Sequence, residues 1–186
     1  MNINYSLAVA IEYIKSDLFR YAGNVSIKKM AIQYVSNRSF RYSFWLRLSR
    51  VNNSLLRFIS TLMHKYLSNK YGINIPRIGK IGHGLYIGHH MSIVMNSTTV
   101  IGNNCNISQF LTIGSNHGKA ATIGDNVYIG PNVCIVEDVV IGDNVTIGAG
   151  AVVVKDVPPN STVAGNPAKV ISEKSPGRYI LNKWNI

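Results

Sequence analysis

The fold is decided by TIGDNVYIGPNVCIVEDVVIGDNVTIGAGAVV, residues 122–153. Isoleucine stands at 123, 129, 135, 141 and 147, and valine at 153, a constant step of six. The same step appears upstream at Ile81, Ile87 and Ile93, and again at Ile101, Ile107 and Ile113. Glycine follows the isoleucine at 82, 88, 102, 114, 124, 130, 142 and 148. A hexapeptide period of this length predicts a parallel β-helix. Each hexad supplies one short strand and one turn, and three hexads close a triangular coil. The isoleucine points inward onto that of the next coil. Glycine, asparagine and aspartate turn the corner because they tolerate positive φ. Asn104, Asn126 and Asn144 fit that place, as do Gly124-Asp125 and Gly142-Asp143.

The register breaks twice. Two extra residues separate Ile93 from Ile101, and four separate Ile113 from Ile123. A break must leave the coil as a bulge or loop, and such loops tend to line the binding face. The second contains His117 and Lys119. The flat sides of the prism need a partner, which a closed threefold assembly supplies, so a homotrimer is expected.

Upstream the period changes to that of helices. Leu7 to Tyr21 carries apolar residues at steps of three and four and stops at Gly23. Ser26 and Ser39 stand where N-caps would open the next helices. Phe40, Phe44, Trp45 and Leu48 form a stripe beside Arg41, Arg47 and Arg50, and Ser54 to Tyr71 reads as a further helix before Gly72. The chain is thus expected to divide into a basic helical region (1–72), a β-helix (73–171) and a short basic, aromatic tail (172–186).

Composition narrows the function. The chain has 186 residues, 46% of them apolar, and a formal charge of +11. Two cysteines, Cys105 and Cys134, are too few for a disulfide scaffold and read as reduced thiols. Residues 1–10 carry no secretory pattern and no apolar run is long enough to span a bilayer, so a cytoplasmic protein is expected. Residues 1–76 hold 11 Lys/Arg against Glu12 and Asp17. That excess suits an anionic partner, including peripheral contact with the inner membrane, or simply a solvated helical face. No nucleic-acid motif accompanies it.

The motifs carry a resemblance. Lys15 to Tyr21, Tyr71 to Pro76, Ile81 to Asn96, Leu111 to Gly114, Ile147 to Ala151 and Val163 to Lys169 together resemble the hexapeptide-repeat acyltransferases. Within them the chain looks like the serine acetyltransferase-like branch, which includes O-acetyltransferases of capsule and other surface polysaccharides. The resemblance implies left-handed coiling, a trimer with active sites between subunits, and acetyl-CoA as donor. It places the general base on His89, with His90 the weaker choice. Imidazole suits the task, because an alcohol must lose its proton as it attacks a thioester. The resemblance assigns Gly130, Pro131, Ala149 and Gly150 to the pantetheine arm, and Lys155 and Lys169 to the phosphates or adenine. Asn96 and His117 receive orienting or acceptor roles. Phe110, where the family often has glycine, reads as a pocket wall or an interface contact.

Departures from the family pattern bear on the acceptor. Serine acetyltransferases carry an aspartate just before the catalytic histidine; Gly88 stands here. An acidic residue that orients the histidine is replaced by Asn74, which can accept the ring N–H but cannot balance an imidazolium as a carboxylate does. The second loop is shorter and lacks the family's Arg-His pair. The expected function is therefore acetyl transfer from acetyl-CoA to a hydroxyl of a surface saccharide or its precursor. Serine acetylation for cysteine synthesis is the alternative. A metal-dependent carbonic anhydrase fits poorly, since His83, His89 and His90 point to different faces, and no metal is expected. A trimeric scaffold without activity is the non-enzymatic reading.

Overall fold

The computed structural model describes residues 4–185. Four helices come first: α1 (Leu7–Ala22), α2 (Ile27–Ser36), α3 (Arg38–Leu48) and α4 (Ser54–Tyr71). A parallel β-solenoid of three faces follows. Face one stacks Ile73–Asn74, Ile93–Met95, Thr112–Gly114, Cys134–Val136 and Val152–Val153. Face two stacks Lys80–Ile81, Val100–Ile101, Thr122–Ile123 and Val140–Ile141. Face three stacks Tyr86–Ile87, Asn106–Ile107, Tyr128–Ile129, Thr146–Ile147 and Thr162–Ala164, and ends in the antiparallel strand Lys169–Ser172.

The period-six residues form the core: Ile81, Ile87, Ile101, Ile107, Ile113, Ile123, Ile129, Ile135, Ile141, Ile147 and Val153 are all buried. A second buried row runs two residues ahead of them, through Leu85, Cys105, Val127 and Val145 on face three and Leu111, Val133 and Ala151 on face one. Strand alternation turns both rows inward. This second row corrects the register of the first break. Met95, not Ile93, pairs with Ile113, while Ile93 is buried in the second row. The step from Ile87 to Met95 is eight residues and from Met95 to Ile101 six, so the extra residues lie in 88–94. That stretch holds His89 and His90.

The corner asparagines behave as expected: Asn104, Asn126 and Asn144 have φ of 55°, 57° and 58°. The glycines of face two do not. Gly82, Gly102, Gly124 and Gly142 have no positive φ and are required for space. A Cβ on Gly82 would lie 2.7 Å from the Gly102 carbonyl, and one on Gly142 would lie 2.6 Å from the Pro159 nitrogen.

The helices are fastened to the first coil by buried polar groups. N-caps are Ser6, Ser26, Asn37 and Asn53; Ser39 is a buried residue inside α3 rather than its cap. Asn37 wins because its Oδ1 accepts from Phe40 N while its backbone stays extended. Arg47, 1% exposed, donates to both carboxylate oxygens of Asp17 at 3.0 Å and to the carbonyls of Ile81 and Gly82. Asp17 also accepts from Leu85 N at 2.8 Å. Arg20 donates to Gly84 O, Asn106 Oδ1 and Leu181 O. Arg41, Arg50, Arg57 and Arg77 likewise reach backbone carbonyls. Much of the basic charge of the helical region is therefore structural.

A second polar junction lies under α4. Tyr42 Oη accepts from Ile75 N and lies 2.9 Å from His64 Nε2. Burial lowers the His64 pKa to about 4, so the ring is neutral in the folded protein near neutral pH. The unfolded chain takes up a proton near the ordinary value of 6.5, above the folded pKa. Between those values the unfolded state binds more protons, so stability falls as pH drops from about 6.5 toward 4. Urea titrations across that range are expected to lose up to about 3 kcal/mol. The His64→Gln variant is expected to flatten the profile.

The tail folds back along face three. Gly177 N donates to Asn144 O, Asn106 Nδ2 to Tyr179 O, and Asn104 exchanges two hydrogen bonds with the Trp184 backbone. Ile180 is buried, and Trp184 meets Phe19 edge-on at 5.6 Å.

Candidate active site

His89 sits on the corner between faces three and one, in the displaced stretch that follows Ile87. Its side chain is exposed and its ring makes no hydrogen bond within the described chain. It stands at a cleft of about 350 Å³ lined by Tyr86, Gly88, Asn106, Ser108, Gln109, Tyr128 and Pro131, among others. Most of them flank the inward isoleucines of face three; Gln109 and Pro131 stand two residues after Ile107 and Ile129. They alternate out of the solenoid on successive coils, and the tail walls the adjoining groove through Tyr179 and Leu181. None of the cleft residues is acidic, and no Asp or Glu occurs between Leu18 and Gly124. Gln109 Oε1 is buried without a partner. A base, amide groups and hydroxyls thus converge where a small hydroxyl compound could be held and deprotonated.

His90 and His83 are engaged elsewhere. His90 turns toward the helices, 5.1 Å from the Tyr71 ring and 3.5 Å from Arg38 Nη1. Burial, then the Arg38 charge, lower its pKa. His83 stacks on Tyr13 at 4.1 Å. No group of three or more His, Cys, Asp or Glu side chains suited to a metal occurs among the described residues.

Asn74 lies on face one beside Val94 and makes no hydrogen bond to His89 within the described chain. It lines a larger cleft of about 580 Å³ with Lys65, His64 and Arg77, in which His64 is already committed to Tyr42. Asn96 Oδ1 accepts from Thr98 N and Oγ1, and its Nδ2 reaches Ser115 O at 3.4 Å, so it turns the chain and ties it to the second loop. His117 is exposed on that loop, whose backbone is pinned by Glu137 through Ser115 Oγ and Asn116 N. The hydrogen bond from Ser115 holds the Glu137 carboxyl below the usual range. The two loops leave opposite ends of face one, so a single chain does not bring His117 to the His89 cleft.

The small residues assigned to the donor form a ledge on the later coils. A Cβ on Gly130 would lie 2.9 Å from Ala149 N, which fixes glycine there. Gly150 has φ 70° with open space around it and donates to Pro131 O at 2.9 Å. The Pro131 carbonyl is thereby engaged, leaving its ring for packing. Lys155 and Lys169 are exposed. Phe110 adopts φ 60°, which explains glycine as the usual residue, and is 46% exposed with its N–H on Met91 O. Sequence reasoning missed Tyr86, Asn106, Ser108, Gln109 and Tyr128. Their signal was positional: Tyr86, Asn106, Ser108 and Tyr128 each adjoin an inward isoleucine of face three, and Gln109 follows one residue later.

Residues 120–155 match the bacterial transferase hexapeptide family (six repeats). The match falls on the later coils of the solenoid, where the period of six is unbroken. It is 36% identical over 122 residues to serine acetyltransferase 3, mitochondrial, of Arabidopsis thaliana, covering 63% of this chain and 31% of that protein. Over 121 residues it is 39% identical to serine acetyltransferase 5 of the same plant, covering 62% and 38%. The chain thus spans about a third of the length of the curated relatives it matches. Among solved structures it resembles Neisseria gonorrhoeae serine acetyltransferase in complex with serine. There the TM-score is 0.73 at 29% identity, over 87% of this chain and 69% of that one. A second crystal structure of the same enzyme gives 0.76 at 27%, over 97% and 73%. These likenesses overturn the expected surface-saccharide acceptor. These relatives and neighbours are serine acetyltransferases, and Gly88 in place of an aspartate does not set the chain apart from them. The glycine is not forced by packing: a Cβ there would meet nothing nearer than Ile107 O at 3.7 Å.

Proposed function

We propose that this protein is a serine O-acetyltransferase that uses acetyl-CoA, with His89 as general base. The observation that carries the reading is the exposed, unpaired His89 imidazole beside a polar cleft in a chain like the serine acetyltransferases. The serine hydroxyl gives its proton to His89 as its oxygen attacks the thioester carbonyl. The tetrahedral intermediate collapses by breaking the C–S bond, and the departing CoA sulfur takes the proton back from the imidazolium. Small residues at Gly130, Ala149 and Gly150 would let the pantetheine arm lie close to the backbone, Pro131 would pack against it, and Lys155 and Lys169 would meet its charged end. Asn74 and Asn96 keep at most supporting roles. A homotrimer would bring a neighbouring protomer's second loop, with His117, toward the His89 cleft.

The cleft lacks a carboxylate for the α-ammonium of serine. The open space at Gly88 yields a sharp expectation. Gly88→Asp would supply the missing charge without a clash and is expected to lower the KM for serine roughly tenfold, with KM for acetyl-CoA unchanged. Steady-state kinetics with each substrate varied in turn checks this. The function itself is tested by following thiol release from acetyl-CoA with L-serine and with ethanolamine. Faster release with L-serine supports the reading, and no serine-dependent release overturns it.

A further inference from the structure

Helix α4 presents an unbroken apolar stripe to solvent. Leu55, Phe58, Ile59, Leu62 and Tyr66 recur at helical spacing and are 69%, 63%, 45%, 53% and 55% exposed. The opposite side, Ser60, His64, Leu67 and Tyr71, is buried against the body of the protein. At 100° per residue, Lys65 and Lys70 fall on the two borders of the stripe, and both are exposed. Lys70 Nζ lies 3.3 Å from Tyr66 Oη and 5.5 Å from the ring centroid.

We propose that α4 lies flat on an anionic lipid surface, its stripe in the acyl boundary and its lysines among the headgroups. The helix has the three parts such a site needs: large apolar side chains on one side, cations at the borders, and an amphipathic ring at headgroup level. Its 18 residues span about 27 Å, and no helix of the described residues is long and apolar enough to cross a bilayer. Charge decides between lipid and a second copy of this chain. α4 contains no acidic residue, and none occurs from Leu18 to Gly124. Two copies meeting through this stripe would bring lysines together with no carboxylate on either helix to pair them. An anionic surface pairs all of them. Helix α2, which packs like α4 on α3, also exposes apolar side chains, with Ile27 and Val35 92% and 73% exposed beside Lys28 and Lys29.

The test is sedimentation of the full chain with vesicles of phosphatidylcholine, with and without phosphatidylglycerol. Binding is expected with phosphatidylglycerol, weakening as salt is raised. The exposed double variant Phe58→Ser/Leu62→Ser is expected to lower the partition constant about a hundredfold. Lys65→Gln/Lys70→Gln is expected to lower it roughly tenfold or more while leaving the apolar stripe intact. Both variants should keep the wild-type melting temperature. The proposal is overturned if phosphatidylglycerol vesicles sediment no protein, or if neither variant changes binding. It is equally overturned if lipid-free ultracentrifugation shows an assembly that splits in the serine variant, since a second copy would then cover the stripe.

Discussion

His89→Ala is expected to cut turnover by about a thousandfold, within the range that loss of a positioned general base costs. The side chain is exposed and bonds to nothing in the chain, so its removal should leave melting temperature, assembly and acetyl-CoA affinity at wild-type values. The loss should therefore fall on kcat, with KM for acetyl-CoA little changed. His90→Ala is the internal control. That ring is engaged with Tyr71 and Arg38 and faces the helices, so its loss should touch stability more than rate. If His90→Ala removes activity and His89→Ala does not, the displaced corner has been read with the wrong histidine outward.

Asp17→Ala is expected to have the largest effect on stability. Asp17 and Arg47 have side chains 0% and 2% exposed, and their pair joins α1 and α3 to the first coil of the solenoid. Removing the carboxylate leaves a buried guanidinium uncompensated and orphans Leu85 N. Breaking such a pair costs about 3–5 kcal/mol, on the order of 10 °C in melting temperature for a chain of this size. Thermal unfolding at one fixed protomer concentration checks this, because any assembly adds to apparent stability. Replacing both partners with apolar residues of similar volume, Asp17→Leu with Arg47→Met, should recover much of the loss, since the cost comes from the unpaired charge.

The solenoid was legible because an inward isoleucine every six residues has one physical meaning. The residues that packing decides were less so. Ile93 and Met95 are both apolar and both buried, so period alone does not say which one holds the column; the structure gives it to Met95 and puts the break before it. Ser39 carries the right side chain for a cap, but Asn37 has the backbone to use it. The arginines of the helical region look like a surface charge in one dimension; in three, Arg20 and Arg47 are buried staples. Of the candidate site, His89 was legible through its motif. Its neighbours Asn106, Gln109 and Tyr128 were not, because they meet on successive coils about twenty residues apart in sequence. The acceptor was misread for a related reason. Gly88 lacks the carboxylate of that family's pattern, yet the solved structures this chain resembles are serine acetyltransferases.

The most direct measurement is mass spectrometry of the product formed from L-serine and acetyl-CoA by the wild-type protein, beside His89→Ala. The account predicts serine carrying one acetyl group on its hydroxyl oxygen, formed in step with free CoA and absent with the variant. Unmodified serine with the wild-type protein, or acetylserine formed equally well by His89→Ala, would contradict it.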